Sequence, residues 1–225
     1  MNTMLSTLDR SANTQPTPAL RRLNAMGLSP SVLALCALIA LANTHLLGGT
    51  LGPGLVFWPD AVLDGQWYRL LTFPFVHITW YHLLLDAGAF VLLYKEIEDT
   101  RLGERLIYLV LCGGFSLAAA WLASPLIATA GLCGLSGIAH GLMAIAALRM
   151  MSGENERGIG LAMLAVVVLK AMYEALTGAV MFEFLHFGMC GSPVAVSHAG
   201  GVLGGILSYY LLTSRAGLPH RDTRR

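Results

Sequence analysis

Six apolar stretches, each long enough to cross the roughly 30 Å hydrocarbon core of a bilayer, constrain this chain more than any other feature. They occupy residues 31–47, 80–97, 105–124, 131–151, 159–180 and 194–213. Charged residues make up only 12% of the 225 residues, about half the share that is usual in a soluble domain. The sequence therefore predicts an all-α membrane protein built as a bundle of six transmembrane helices.

Residues 48–79, between the first two stretches, are too interrupted to form a membrane span. Pro53 and Pro59 break the segment, and Trp58 and Trp67 lie within it. Tryptophan suits the bilayer–water interface because its ring is largely apolar and also carries a hydrogen-bond donor. We therefore expect an interfacial loop between the first and second helices.

The chain divides into three regions on this reading. A polar segment at 1–30 precedes the membrane domain at 31–214, and a basic tail occupies 215–225. A secretory signal would place a short apolar core near the start, whereas here the first apolar run begins around Val32 and further spans follow it. We therefore expect the first stretch to be a retained membrane helix.

The basic residues are unevenly distributed about the predicted spans. If six helices alternate in direction, twelve of the 14 lysines and arginines fall on one side. These are Arg10, Arg21, Arg22, Lys95, Arg101, Arg105, Arg149, Arg157, Arg215, Arg221, Arg224 and Arg225. Cytoplasmic loops carry the excess of basic residues, so both termini are predicted to be cytoplasmic. No basic run suggests a nucleic-acid surface.

Ionisable side chains inside membrane spans are costly and usually face protein or water. Those predicted here are His82, Asp86, His140, Lys170, Glu174 and His198. Counting 1.5 Å per residue from the predicted outer ends places His82, Ser136 and His198 in the outer third of three helices. Serine and histidine side chains at one level, within reach of water, are what a hydrolytic pocket requires.

The motif Gly134-Leu135-Ser136-Gly137 is the sharpest local signal in the chain. A serine between glycines leaves room for a substrate backbone, and it leaves nearby backbone N–H groups free to point at an oxyanion. The hydroxyl becomes a useful nucleophile only when a base takes its proton. The motif therefore predicts a catalytic serine with a base nearby.

His198 is the predicted base. Gly201 and Gly205 follow it at a spacing that lets two helices approach closely, so that the sixth helix could pack on the fourth with His198 facing Ser136. A serine–histidine pair suffices if packing holds the ring in place. The sequence thus predicts a catalytic pair that needs no carboxylate.

These motifs together resemble the rhomboid family of intramembrane serine proteases, over roughly Gln66 to Leu212. The matching elements, in chain order, are Trp67-Tyr68-Arg69, Thr72-Phe73, Val76-His77, His82-x-x-x-Asp86, Asp99-Thr100-Arg101-Leu102-Gly103, Gly134-Leu135-Ser136-Gly137 and His198-x-x-Gly201-x-x-x-Gly205. The resemblance implies that Ser136 attacks the scissile carbonyl and that His198 acts as general base and then as general acid. It also implies that the Ser136 N–H and the His82 side chain hold the oxyanion.

Two residues depart from the family pattern. Asp86 stands where rhomboids have asparagine, and an ionised carboxylate would repel an oxyanion; it must therefore be protonated, face elsewhere or orient His82. His140 stands where rhomboids often carry tyrosine, one turn after Ser136. It either stacks on His198 or relays a proton, or is simply hydrogen-bonded within the bundle.

Lys170 and Glu174 are four residues apart in the fifth stretch, where they form either a structural ion pair or a contact for a substrate end or headgroup. With the Ser-Gly-x-x-His-Gly pattern at 136–141, the segment 169–178 is similar to the rhombosortase subgroup. That resemblance implies a bacterial inner-membrane enzyme with its active site open to the periplasm. Its substrates would be membrane-anchored exported proteins with a Gly-Gly-containing C-terminal anchor. The acyl-enzyme would then react either with water or with the amine of another molecule.

Other interpretations stay open at this point. Cys133 and Cys190 both lie near the predicted outer face, where they either form a disulfide or remain free thiols. The chain is alternatively a catalytically inactive rhomboid relative that binds membrane clients, or a small transporter that uses Asp86, Lys170 and Glu174. The sequence implies no metal and no cofactor, and it leaves the oligomeric state open.

Overall fold

The computed structural model describes residues 29–49, 52, 54–181 and 194–216 of the chain. The predicted N-terminal segment, the basic tail beyond residue 216, and Cys190 with its predicted disulfide lie outside the described residues. Both ends of the predicted membrane domain at 31–214 fall inside them.

The described part of the chain is helical, and its one β-type contact is an isolated bridge between Phe57 and Leu132. Its α-helices are α1 (Pro30–Ala42), α2 (Pro59–Leu63), α3 (Arg69–Thr72), α4 (Trp80–Lys95), α5 (Leu102–Ala123), α6 (Ile127–Ala130), α7 (Ser136–Ser152), α8 (Arg157–Thr177) and α9 (Val196–Ala216). Short 3-10 helices occupy Thr44–Gly48 and Phe73–Phe75. The prediction of an all-α protein is confirmed.

Each predicted apolar stretch overlaps one of the six longer helices, α1, α4, α5, α7, α8 and α9. Among the described residues, α5 and α8 are long and apolar enough to cross a membrane by length and composition. A third span is counted if Arg69–Phe75 and Trp80–Lys95, which meet at a bend of 95°, act as one. The chain is thus a membrane protein by this measure, and the count of six spans stays a prediction.

Helix α9 packs against α5, α7 and α8 and so lies at the centre of the bundle. Glycines permit its close contact with α7. A Cβ added to Gly201 would lie 1.9 Å from the carbonyl oxygen of Gly137, and one added to Gly205 would lie 2.3 Å from that of Gly141. Only backbone without side chains fits at these crossings. This close approach brings the first turns of α7 and α9 together.

The loop between α1 and α4 is fixed against the beginning of α7 by buried polar groups. Phe57 and Leu132 exchange backbone hydrogen bonds of 2.9 and 3.0 Å. The buried Arg69 guanidinium donates to the Val56 carbonyl at 2.5 Å. The Asn43 side chain donates to the Phe75 carbonyl, and its oxygen accepts from a backbone N–H at the end of the loop, both at 2.7 Å. The Phe57–Leu132 bonds hold the loop beside the serine motif, while the Arg69 and Asn43 bonds fix the loop itself.

At the end of the bundle away from Ser136, polar contacts join helix ends and turns that the sequence predicts to lie on one side of the membrane. Arg149, near the end of α7, pairs with Asp99 in the turn between α4 and α5 at 2.5 Å. Ser31, at the start of α1, donates to Glu98 of the same turn at 2.7 Å. These contacts bring together the start of α1, the turn between α4 and α5 and the end of α7, and the side of the membrane on which they lie stays a prediction.

Candidate active site

Ser136 is the first residue of α7, and a sharp turn presents it. Gly134 has a φ of +97°, in the left-handed region that side chains disfavour. A Cβ on Gly134 would lie 2.7 Å from both the Asp86 carboxylate and the His82 ring, so glycine is required there for space as well. Leu135 follows as a fully buried anchor. The motif therefore places the serine hydroxyl at a helix start beside polar side chains of α4.

His198, in the first turn of α9, faces this serine. Its Nε2 lies 3.1 Å from Ser136 Oγ, within hydrogen-bond reach. The ring is buried, because α9 contacts α7 at the glycine positions one turn further along. The predicted pairing of a serine on the fourth stretch with a histidine on the sixth is what the geometry shows.

The other ring nitrogen of His198 contacts a carboxylate. Glu174 of α8, which is fully buried, has its Oε2 2.7 Å from His198 Nδ1. Its Oε1 accepts from Lys170 Nζ at 2.6 Å and from the backbone N–H of Met181 at 3.0 Å. The sequence predicts a serine–histidine pair without a carboxylate, whereas the structure places one against the histidine.

His140 lies against the same histidine. The two rings stack with centroids 4.1 Å apart and planes 10° from parallel. Lys170 Nζ lies 2.9 Å from His140 Nε2, and His140 Nδ1 lies 2.7 Å from the Ser136 carbonyl oxygen. An ammonium can only donate, so His140 carries its proton on Nδ1 and donates it to that carbonyl. Of the roles left open for His140, the geometry displays two, since the ring stacks on His198 and is also hydrogen-bonded within the bundle.

Asp86 of α4 lies where the family pattern predicts an oxyanion site. Its Oδ2 accepts from the backbone N–H of Ser136 at 3.0 Å, and His82 Nε2 lies 3.2 Å from the same oxygen. The possibility that Asp86 faces away from the serine is therefore wrong. The two groups predicted to hold the oxyanion converge instead on a carboxylate oxygen of the protein.

Within the part of the chain that the structure describes, two sets of side chains have the composition of metal ligands. They are His77, His82 and Asp86, and His140, Glu174 and His198, each with ligand atoms within 4.8 Å of one another. In the second set, the Lys170 ammonium already contacts two members and would oppose a cation. In the first set, the Asp86 oxygen already receives the serine N–H. We assign no metal to either set.

A cavity of about 300 Å³ opens onto these groups. Its polar lining residues are His82, Asp86, Ser136, His140, Lys170, Ser197 and His198. The remaining wall is mainly apolar and comes largely from α4, from residues 130–133 and from residues 180–181, which follow α8. We call the part of the cavity lined by these polar residues the polar corner. Such a cavity suits an extended apolar segment whose backbone reaches the polar corner.

The structure brings most of the residues singled out from the sequence to this corner, with Cys133 in the cavity wall. Sequence reasoning missed the contact between Glu174 and His198. A signal was present: Glu174 lies six residues from the predicted outer end of its stretch, at the same depth as Ser136 and His198. The i, i+4 spacing of Lys170 and Glu174 is equally typical of an ion pair within one helix, which predicts no contact with another helix.

Comparison with known proteins gives the family. The family model described as Rhomboid domain matches residues 64–215, more than half of the chain. The chain belongs to the rhomboid family. The matched range begins in the loop before α3 and includes every residue that lines the cavity, so the candidate site lies within the rhomboid domain.

A curated relative is the rhomboid-like protein 11, chloroplastic, of Arabidopsis thaliana, which is 28% identical over 151 residues. The match covers 65% of this chain and 53% of that relative, so this chain spans about half the length of the rhomboid protein it matches.

Proposed function

We propose that this rhomboid protein is an intramembrane serine endopeptidase in which Ser136 is the nucleophile and His198 the general base. One observation carries the proposal: Ser136 Oγ and His198 Nε2 lie 3.1 Å apart at the wall of a cavity inside a membrane protein. Rhomboid membership supports it, since the family generally consists of serine proteases. An inactive client-binding relative would have no need to align these two atoms.

The reaction follows from the two side chains. His198 Nε2 takes the Ser136 hydroxyl proton while Oγ bonds to the scissile carbonyl carbon, which gives a tetrahedral oxyanion. The imidazolium then donates that proton to the departing amine as the peptide bond breaks, leaving an ester on Ser136. A water molecule attacks the ester with His198 again as base. The products are a new carboxyl terminus, a new amine and the free serine.

The oxyanion of the tetrahedral intermediate would need the same two hydrogen-bond donors that now contact Asp86. The backbone N–H of Ser136 and the ring of His82 now contact Asp86 Oδ2, where two donors meet one anionic oxygen. These are the contacts that a tetrahedral oxyanion requires. We infer that the donors are already aimed correctly and that the Asp86 oxygen leaves them when substrate reacts.

The substitution Asp86→Asn tests this inference. Removing the charge relieves repulsion of the oxyanion while keeping side-chain size, so we expect acylation of Ser136 by a fluorophosphonate to become several-fold faster. The measurement is the labelling rate of purified protein, with Asp64→Asn in the exposed loop as the matched control. Slower labelling by Asp86→Asn at unchanged thermal stability would contradict the inference and indicate that the carboxylate orients His82.

We further propose that the substrates are exported proteins with a Gly-Gly-containing C-terminal anchor, cleaved on the periplasmic side of a bacterial inner membrane. The support comes from the residues similar to rhombosortases. Of these, His140, Lys170 and Glu174 directly contact one another or His198, so they belong to the chemistry of the site rather than to a remote surface. Resolution of the acyl-enzyme by an amine in place of water would make the activity a transpeptidation.

Co-expression with a reporter that ends in such an anchor tests both levels of the proposal. We expect the wild type to cleave the reporter, Ser136→Ala to leave it intact, and Ser152→Ala to cleave normally. Ser152 is a suitable control because it ends the same helix, 16 residues or about 24 Å away. Mass spectrometry of the product distinguishes the two outcomes. Hydrolysis leaves a free carboxylate at the new C-terminus, whereas transpeptidation leaves an amide. Cleavage that persists in Ser136→Ala would contradict the catalytic assignment.

A further inference from the structure

We propose that Glu174 is a positioning residue that completes a Ser136–His198–Glu174 triad. This inference rests on the proposed protease function and adds to it a member that the sequence motifs do not predict. Glu174 comes from α8, whereas the serine and histidine come from α7 and α9. Three packed helices therefore each contribute one side chain to a single hydrogen-bonded line.

The carboxylate is held at both oxygens. Oε2 is 2.7 Å from His198 Nδ1, a distance typical of a charge-assisted hydrogen bond. Oε1 receives the Lys170 ammonium at 2.6 Å and the Met181 N–H at 3.0 Å. Glu174 is also 0% exposed, so water does not compete for these bonds. A group fixed in this way can fix the ring that it contacts.

The contact determines where the proton on His198 lies. A carboxylate accepts, so Nδ1 carries the hydrogen and Nε2 presents its lone pair to the Ser136 hydroxyl. The opposite tautomer would set a lone pair against the carboxylate and leave the hydroxyl without an acceptor. During acylation the serine proton moves to Nε2, the Nδ1 proton stays on the ring, and Glu174 faces an imidazolium. The carboxylate stabilises that cation without accepting a proton.

Lys170 has a supporting part in the same network. A buried carboxylate is costly without a partner, and the Lys170 ammonium supplies one. The same ammonium donates to His140, whose ring stacks on His198 from the side. The Lys170–Glu174 pair therefore fixes the base through two contacts, which a purely structural ion pair would have no reason to make.

The test measures the rate at which a fluorophosphonate acylates Ser136 in the purified full chain, separating probe affinity from the acylation rate constant. We expect Glu174→Gln to lower the rate constant about 10²- to 10⁴-fold in the folded protein, with probe affinity close to wild type. Glu174→Asp, which keeps the charge, should retain more activity than Glu174→Gln. Glu154→Gln, an exposed site in the turn before α8, is the matched control.

The double variant Lys170→Met/Glu174→Gln separates the triad from a structural pair. If the pair only stabilised the fold, Glu174→Gln would slow acylation because it leaves the Lys170 charge without a partner. Replacing both charges together would then restore the acylation rate. The triad predicts that the double variant stays as slow as Glu174→Gln. A Glu174→Gln rate within threefold of wild type, or recovery in the double variant, overturns the triad while the protease stands. An unlabelled but folded wild type overturns the protease itself.

Discussion

Replacing His198 with alanine should slow fluorophosphonate acylation of Ser136 by about a thousandfold or more. Without the ring, the serine hydroxyl loses the acceptor that lies 3.1 Å away, and α9 brings no other base to it. Losses of this size or larger accompany removal of the histidine from other serine hydrolases. The measurement is the labelling rate of purified protein in detergent, compared with wild type at the same protein concentration.

The control for this variant addresses packing. His198 stacks on His140, so alanine also removes a ring contact that contributes to the bundle. His198→Phe keeps an aromatic ring of similar size on His140 but supplies no base. We expect His198→Phe to be as inactive as His198→Ala and to unfold closer to the wild-type temperature. Substantial labelling of a well-folded His198→Phe would show that the hydroxyl is activated by something else.

Replacing Gly201 with alanine should destabilise the protein and inactivate it at the same time. The added methyl group would lie 1.9 Å from a backbone carbonyl oxygen of α7, and backbone cannot rotate away as a side chain can. Overpacking of this kind costs about 1–3 kcal/mol. For a chain of this size, in which each kcal/mol shifts the thermal midpoint by about 2–4 °C, we expect a fall of about 2–12 °C. Activity should fall as well, because the same crossing sets the distance between His198 and Ser136.

Gly114→Ala is the matched control for this prediction. Gly114 also lies within a long apolar helix, but a Cβ added there meets no atom within 4 Å. We expect its thermal midpoint and labelling rate to equal those of wild type. A Gly201→Ala protein as stable as Gly114→Ala would contradict the packing of α9 on α7 described above.

The sequence predicted the parts of the site that depend on chain-local patterns. Ser136 was recognisable from its flanking glycines, and His198 from the glycine spacing that follows it. Gly134 is required by its positive φ and by the side chains of α4 beside it, whereas Gly201 and Gly205 are required because the backbones of α7 and α9 approach closely. Apolar length likewise indicated where the helices lie, although it did not fix how many cross the membrane.

The rest depended on contacts between helices that no local pattern encodes. Glu174 and Lys170 are one turn apart, so a local pair was a sufficient explanation for both. The rotation of α8 about its own axis depends on how the whole bundle packs. That rotation determines whether Glu174 contacts His198. The same holds for Asp86. The sequence predicts its position on α4, but its hydrogen bond with the Ser136 N–H depends on the turn at Gly134, which no local pattern in α4 encodes.

The most direct test of the central claim is to label the purified full chain with a fluorophosphonate and identify the modified residue by peptide mass spectrometry. We expect one modified position, Ser136, and no labelling of folded Ser136→Ala. Modification of a different serine in wild type, or equal labelling of Ser136→Ala, would contradict the assignment of Ser136 as nucleophile.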